Sequence, residues 1–253
     1  MNRGAWNKFV KARDRFRYAT EELARSLPGL KKIQQEFVNS RADGKNSSYT
    51  VETPVVYNCA LDSVTAGDEI KMILTADNPG RREQAAENRR YLVGPSGKIA
   101  QKFFRNNPAL GIDFLKNVII LNKTPIHSPR TVELRELCRM DAEKGGRSIA
   151  AALEESQRTM ASLLLEFQLA LDAQVWIVGY SEMKKGGIFE VYTETLKSLY
   201  ADRERMYKQI FFYRHFSMNQ FTIDLKRQAL PGETAAKSLM RIGAAYRERI
   251  LGK

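Results

Sequence analysis

Amides, one carboxylate and an imidazole stand at the ends of apolar runs in this 253-residue sequence. Residues 70–76 (Ile-Lys-Met-Ile-Leu-Thr-Ala) end in Asp77-Asn78-Pro79-Gly80, and residues 117–121 (Asn-Val-Ile-Ile-Leu) end in Asn122-Lys123-Thr124-Pro125. A third run, residues 209–214, delivers His215-Phe216-Ser217-Met218-Asn219. Such groups orient or donate hydrogen bonds, and the carboxylate and imidazole also titrate. Asn-Pro-Gly by itself is turn sequence, favoured for backbone reasons. The only two histidines, His127 and His215, both follow predicted strands, a position where a lone histidine is commonly structural. No metal set is present. The chain has no His-x-x-x-His and no carboxylate cluster, and Cys59 and Cys138 form no Cys-x-x-Cys pair, so no metal or other cofactor is called for.

The elements that must position these groups follow from the spacing of apolar residues. Each run is too short for a useful helix and is stopped by turn residues, which predicts buried strands; residues 175–179 (Val-Trp-Ile-Val-Gly) make a fourth. The intervening segments read as helices, around 95–105, 131–171 with a break at Gly145-Gly146, 189–199 and 234–251. Strands separated by helical crossovers, with no hairpin signals, predict an α/β fold: a three-layer α/β/α sandwich around a four-stranded parallel sheet. Parallel strands put their ends on one edge, so Asn78, Asn122, Gly179 and His215 are expected to line one cleft. Residues 1–48 read as a helical N-terminal extension, with Phe9, Phe16 and Leu23 at helical spacing, and the polar stretch 40–48 as its boundary. Residues 49–253 form the main domain.

An apolar content of 43% is ample for a packed core. No stretch approaches the roughly 20 apolar residues that a membrane span needs, and the first residues lack a secretory apolar region, so an intracellular, cytoplasmic protein with no membrane partner is expected. Forty-one Lys and Arg against 29 Asp and Glu leave a net charge of +12, which makes nucleic acid the leading partner class.

Over most of residues 55–250 the strand-end motifs together resemble the uracil-DNA glycosylase superfamily. Ala76-Asp77-Asn78-Pro79-Gly80 is similar to its first motif in the Gly-x-Asn-Pro-Gly form of the mismatch-specific and single-strand-selective branches. Tyr91-Leu92-Val93-Gly94-Pro95-Ser96-Gly97 is similar to the Pro-Phe-Val-Gly-x-x-Gly segment of the thermophile-type, iron-sulfur branch. Leu121-Asn122 falls at the strand-end Asn, and His215-Phe216-Ser217 looks like a variant of the His-Pro-Ser motif. The chain departs from the pattern in lacking the four cluster cysteines, in Phe216 for Pro, and in Leu92 where relatives stack an aromatic, which leaves Tyr91 as the aromatic at hand. Gly80 stands where thymine-excluding branches carry Tyr.

The resemblance implies a monomer that excises uracil or a related damaged base from single-stranded or mismatched DNA, as in base excision repair. The nucleotide is flipped into the cleft, at a cost of a few kcal/mol. His215 would donate to the uracil O2 and Asn78 would orient the water, with Asp77 a second candidate for activating it. Asn122 would read the base edge, Tyr91 or Leu92 would lie against its face, and Gly80 would leave room for a 5-methyl group. Arg81, Arg82, Lys98, Lys123 and Arg214, with Ser217, Met218 and Asn219, would contact DNA. Two other functions stay open: a non-catalytic nucleic-acid-binding member of the fold, and a nucleoside or nucleotide hydrolase.

Overall fold

Four apolar runs pair into one sheet. In the computed structural model, which describes residues 1–41, 48–146 and 148–252, β1 (Met72–Ala76), β2 (Val118–Asn122), β3 (Gln174–Val178) and β4 (Ile210–Tyr213) are all parallel, in the order β2-β1-β3-β4. Ala76 is level with Asn122, and Val178 with Tyr213. The four strands therefore release Asp77, Lys123, Gly179 and Arg214 at one edge. The chain leaves β1 toward β2 and then returns to the other side of β1 for β3. That reversal is the position at which open α/β sheets hold ligands.

The helices among the described residues are α1 (Arg3–Ser26), α2 (Leu30–Ser40), α3 (Pro95–Asn106), α4 (Glu133–Glu143), α5 (Ser148–Leu171), α6 (Glu190–Leu199), α7 (Glu204–Lys208), α8 (Gln220–Gln228) and α9 (Ala235–Leu251). Because successive strand residues point to opposite faces, the sheet separates two apolar clusters. Ile73, Ile119, Val175, Ile177 and Phe212 pack with side chains of α1, α2, α4, α5 and α6. Met72, Leu74, Trp176, Val178 and Tyr213 pack with Phe103 and Phe104 of α3, Phe221 of α8 and Leu239 of α9. The three-layer α/β/α sandwich is thus present.

The N-terminal helices share the first of these clusters. Phe9 and Phe16 are fully buried, and the Phe9 ring lies 5.5 Å from that of Phe167 in α5. Burial of this kind contributes about 1.5–3 kcal/mol per side chain, so α1 is built into the sheet's own core. The boundary expected at 40–48 falls largely outside the described residues. Helix α8 was not anticipated, because it is short and only Phe221 of its side chains is fully buried. Both cysteines are free and half-buried. No helix among the described residues is long and apolar enough to cross a membrane.

Candidate functional site

A cleft of about 690 Å³ opens at the carboxyl edge of the sheet. Asp77, Asn78, Gly80, Asn122, Gly179 and His215 all line it, as do Leu92, Arg81, Arg82, Arg214, Ser217 and Met218. Among the described residues no group of three or more His, Cys, Asp or Glu side chains is placed to hold a metal.

On the β1/β2 side the polar groups hold one another. The Lys123 ammonium is fully buried and reaches Asp77 Oδ1 at 2.5 Å, the Val178 carbonyl at 2.7 Å and the Gly179 carbonyl at 3.4 Å. Three acceptors match its three protons. Burial draws its pKa down from the ordinary lysine range, and Asp77 opposes the shift. Gly179 is left-handed (φ 79°), and a Cβ there would lie 2.5 Å from Asp77 Oδ1, so only glycine lets β3 end against this carboxylate. Thr131 Oγ1 lies 3.0 Å from Asp77 Oδ2 and 3.1 Å from Asn78 Oδ1. Asn78 Nδ2 donates to the Ser128 carbonyl at 3.1 Å and to its hydroxyl at 2.9 Å, which fixes the amide's orientation. His127 is buried behind this loop. Its Nδ1 meets the Pro79 carbonyl at 2.8 Å and its Nε2 the Tyr49 hydroxyl at 2.8 Å. A carbonyl only accepts, so Nδ1 carries the proton and Tyr49 donates to Nε2. Burial pushes the His127 pKa down to about 4.

Asn122 borders the cleft but is only 2% exposed, and its buried Nδ2 has no partner among the described residues. An unpaired buried amide donor costs about 1–3 kcal/mol. The second motif loop supplies the wall beside it. Leu92 adopts φ 53°, and Gly97 packs so closely that a Cβ would stand 1.5 Å from the Leu92 carbonyl oxygen. Glu83 is nearly buried; burial raises its carboxyl pKa, and the Gly80 and Leu92 backbone N–H groups stabilise the charge. It ties the two loops together.

The β4 side is looser. Ser217 donates its backbone N–H to His215 Nδ1 at 3.1 Å, and its hydroxyl lies 2.8 Å from the same nitrogen. A backbone N–H can only donate, so the neutral imidazole carries its proton on Nε2. Burial lowers the pKa of His215; the Asp77 charge opposes this and the Lys123 charge adds to it. Met218 (φ 52°) and Asn219 (φ 56°) are successive left-handed residues, and Met218 is 77% exposed. Phe216 is buried and stacks on Phe221 at 4.5 Å, filling the core where a proline would only shape the turn.

Several placements differ from expectation. Tyr91 cannot stack on a ligand: it is buried, its hydroxyl donates to the Val56 carbonyl at 2.6 Å and its ring faces Phe16. Leu92 alone of the pair borders the cleft. Lys123 cannot reach a phosphate, because it is sealed beneath the site. Lys98 on α3 and Asn219 on the β4 loop are exposed and do not themselves line the cleft, but each follows within two positions a residue that does, Ser96 and Met218. His127, predicted at the same edge as His215, supports the Pro79 loop from behind. Thr131, Ser128, Glu83 and Tyr180 were not anticipated at the site. Only Glu83 left a local signal, an acid three residues after Gly80, the spacing at which a carboxylate reaches back to a backbone N–H. Comparison with protein-family models, curated proteins and solved structures found no match.

Proposed function

We propose that this protein is a DNA glycosylase that hydrolyses the N-glycosidic bond of uracil or a related base flipped into the cleft. The observation that carries the reading is Asn122, a buried amide with an unpartnered donor on the cleft wall. An amide offers a donor and an acceptor side by side, which matches O4 and N3–H of uracil and mismatches cytosine. Leu92 lies against the base, and Gly80 leaves its 5-position uncrowded.

Cleavage passes through an oxocarbenium-like sugar while the base leaves with its bonding electrons. His215 supports that departure as a neutral imidazole whose Nε2–H donates to O2 as charge develops, an interaction worth roughly 3–4 kcal/mol. The water that attacks C1′ donates to Asn78 Oδ1. Thr131 has a single hydroxyl proton, and the Asp77 carboxylate is the stronger of its two acceptors. Asn78 Oδ1 is therefore left to accept from the water. Asp77, charge-paired with Lys123, stabilises the cationic sugar and takes up the proton that the water loses. Met218, at the exposed tip of the β4 loop, fills the space vacated by the flipped nucleotide.

The test is a strand-cleavage assay on single-stranded, U·G and U·A oligonucleotides with wild type and with Asn78→Ala, His215→Ala and Asn122→Ala. Activity is expected to fall about 10²–10³-fold in His215→Ala. Salt-dependent DNA binding with every substrate left intact sinks the enzyme reading and leaves a binding protein; cleavage of free nucleosides alone moves the activity to a nucleoside hydrolase.

A further inference from the structure

We infer that the outer face of α3, continued by the end of α8, is a phosphate rail for the DNA strand that leaves the cleft. The inference takes the partner's identity from the glycosylase reading, but its geometry is separate from the chemistry of the cleft. Lys98, Lys102 and Arg105 fall four and three residues apart on α3, opposite the buried Ala100, Phe103 and Phe104, and all three are exposed. The stripe begins at the cleft, since Pro95 and Ser96 in the first turn border it. Helix α8 lies alongside, with the Phe103 and Phe221 rings 4.9 Å apart, and it too starts at the cleft, with Gln220. Its exposed Lys226 and Arg227 extend the same basic layer.

Charge pairing separates this face from those of α4 and α5. Helix α3 carries no acidic residue, and none of these five cations forms an ion pair among the described residues. The one acid of α8, Asp224, is turned to Arg214 and Tyr246. Across the sheet, Arg139 of α4 bridges Glu136 and Glu143, and Arg158 of α5 bridges Glu154 and Glu155. Lys98 also stands in the first turn of α3, where the positive end of the helix dipole disfavours a cation. Lys98 and Lys102, one turn apart, repel each other. A polyanion laid on the face removes both conflicts. The stripe covers roughly 10 Å of helix, the axial length of about three nucleotides of one strand.

The experiment measures binding of the full-length chain to an undamaged, fluorescein-labelled 30-bp DNA duplex across a series of KCl concentrations. Each lost phosphate contact flattens the plot of log affinity against log salt by about 0.9, so the Lys98→Ala/Lys102→Ala/Arg105→Ala variant is expected to lose about 2.7 of the slope and roughly 10- to 100-fold in affinity at moderate salt. Arg139→Ala/Arg158→Ala removes two cations from the other layer and is expected to leave the slope within about 0.5 of wild type. Circular dichroism and the Tm check the fold, and Lys102→Glu/Arg105→Glu, a charge reversal at exposed positions, repeats the test. An unchanged slope in the stripe variants, an equal loss in the control, or binding to RNA but not DNA overturns the rail. If the slope changes as expected and no uracil is excised from any substrate, the rail stands and the glycosylase reading falls.

Discussion

The two sides of the cleft are held in opposite ways. On the β1/β2 side a buried ammonium, a carboxylate, the Thr131 and Ser128 hydroxyls, the Asn78 amide and an imidazole form a continuous network from Lys123 to Tyr49, joined through the Pro79 carbonyl. On the β4 side His215 is held by Ser217, its neighbour two residues on, and the next two residues are left-handed and exposed. Networks whose every member is satisfied rigidify a site, whereas locally bonded, exposed loops open at low cost. The proposed reaction, which places water under a sugar and also admits and releases a nucleotide, calls for both kinds of wall.

The largest expected blow to this contrast is Lys123→Met. It keeps the volume but leaves the Asp77 carboxylate, 16% exposed, without its cation, and removing one partner of such a pair costs about 3–5 kcal/mol. Chemical denaturation should show that loss; a change below about 1 kcal/mol would mean that the network does not hold the rigid wall. Acid should weaken the same wall next. His127 has its pKa lowered from 6.5 to about 4, so between those values the unfolded chain binds a proton that the folded chain refuses. Stability therefore rises with pH across that window and is lost as pH falls through it, by about 3 kcal/mol over the full span. Urea midpoints at pH 7 and pH 4.5 should differ more in wild type than in His127→Gln, and equal differences would break the assignment. Thr131→Val should lower kcat about 10-fold with KM little changed, the signature of a lost positioning bond worth about 1–1.5 kcal/mol, and Thr131→Ser should restore it. A rise in KM alone would move Thr131 from positioning to binding. Smallest in stability is Met218→Ala, within about 0.5 kcal/mol because the side chain is exposed. It should slow excision from duplex several-fold and leave single-stranded substrate unaffected; equal slowing on both would remove the wedge role.

Four strands and their order of appearance were legible, because β-branched and apolar runs with Pro-Gly stops allow few other structures. The joint position of Asn78, Asn122, Gly179 and His215 followed from parallel strands alone. Tyr91 and Leu92 were not separable in sequence: both can line a pocket, and only the left-handed turn at Leu92, allowed by Gly97, sends one to the core and the other to the cleft. Lys123 read as one more basic residue. Burial against three acceptors, contributed by the first and third strands, makes it structural.

The amino-acid sequence by itself determined the layers, the parallel sheet and the edge at which the polar groups emerge, since periodicity and turn chemistry act over short spans of chain. Which of those groups are free to meet a ligand was decided only by the tertiary structure. Hydrogen-bond partners such as Thr131 for Asp77 and Ser128 for Asn78 lie some 50 residues away along the chain. A proton can be assigned, or a donor found without a partner, only when every neighbour is in place.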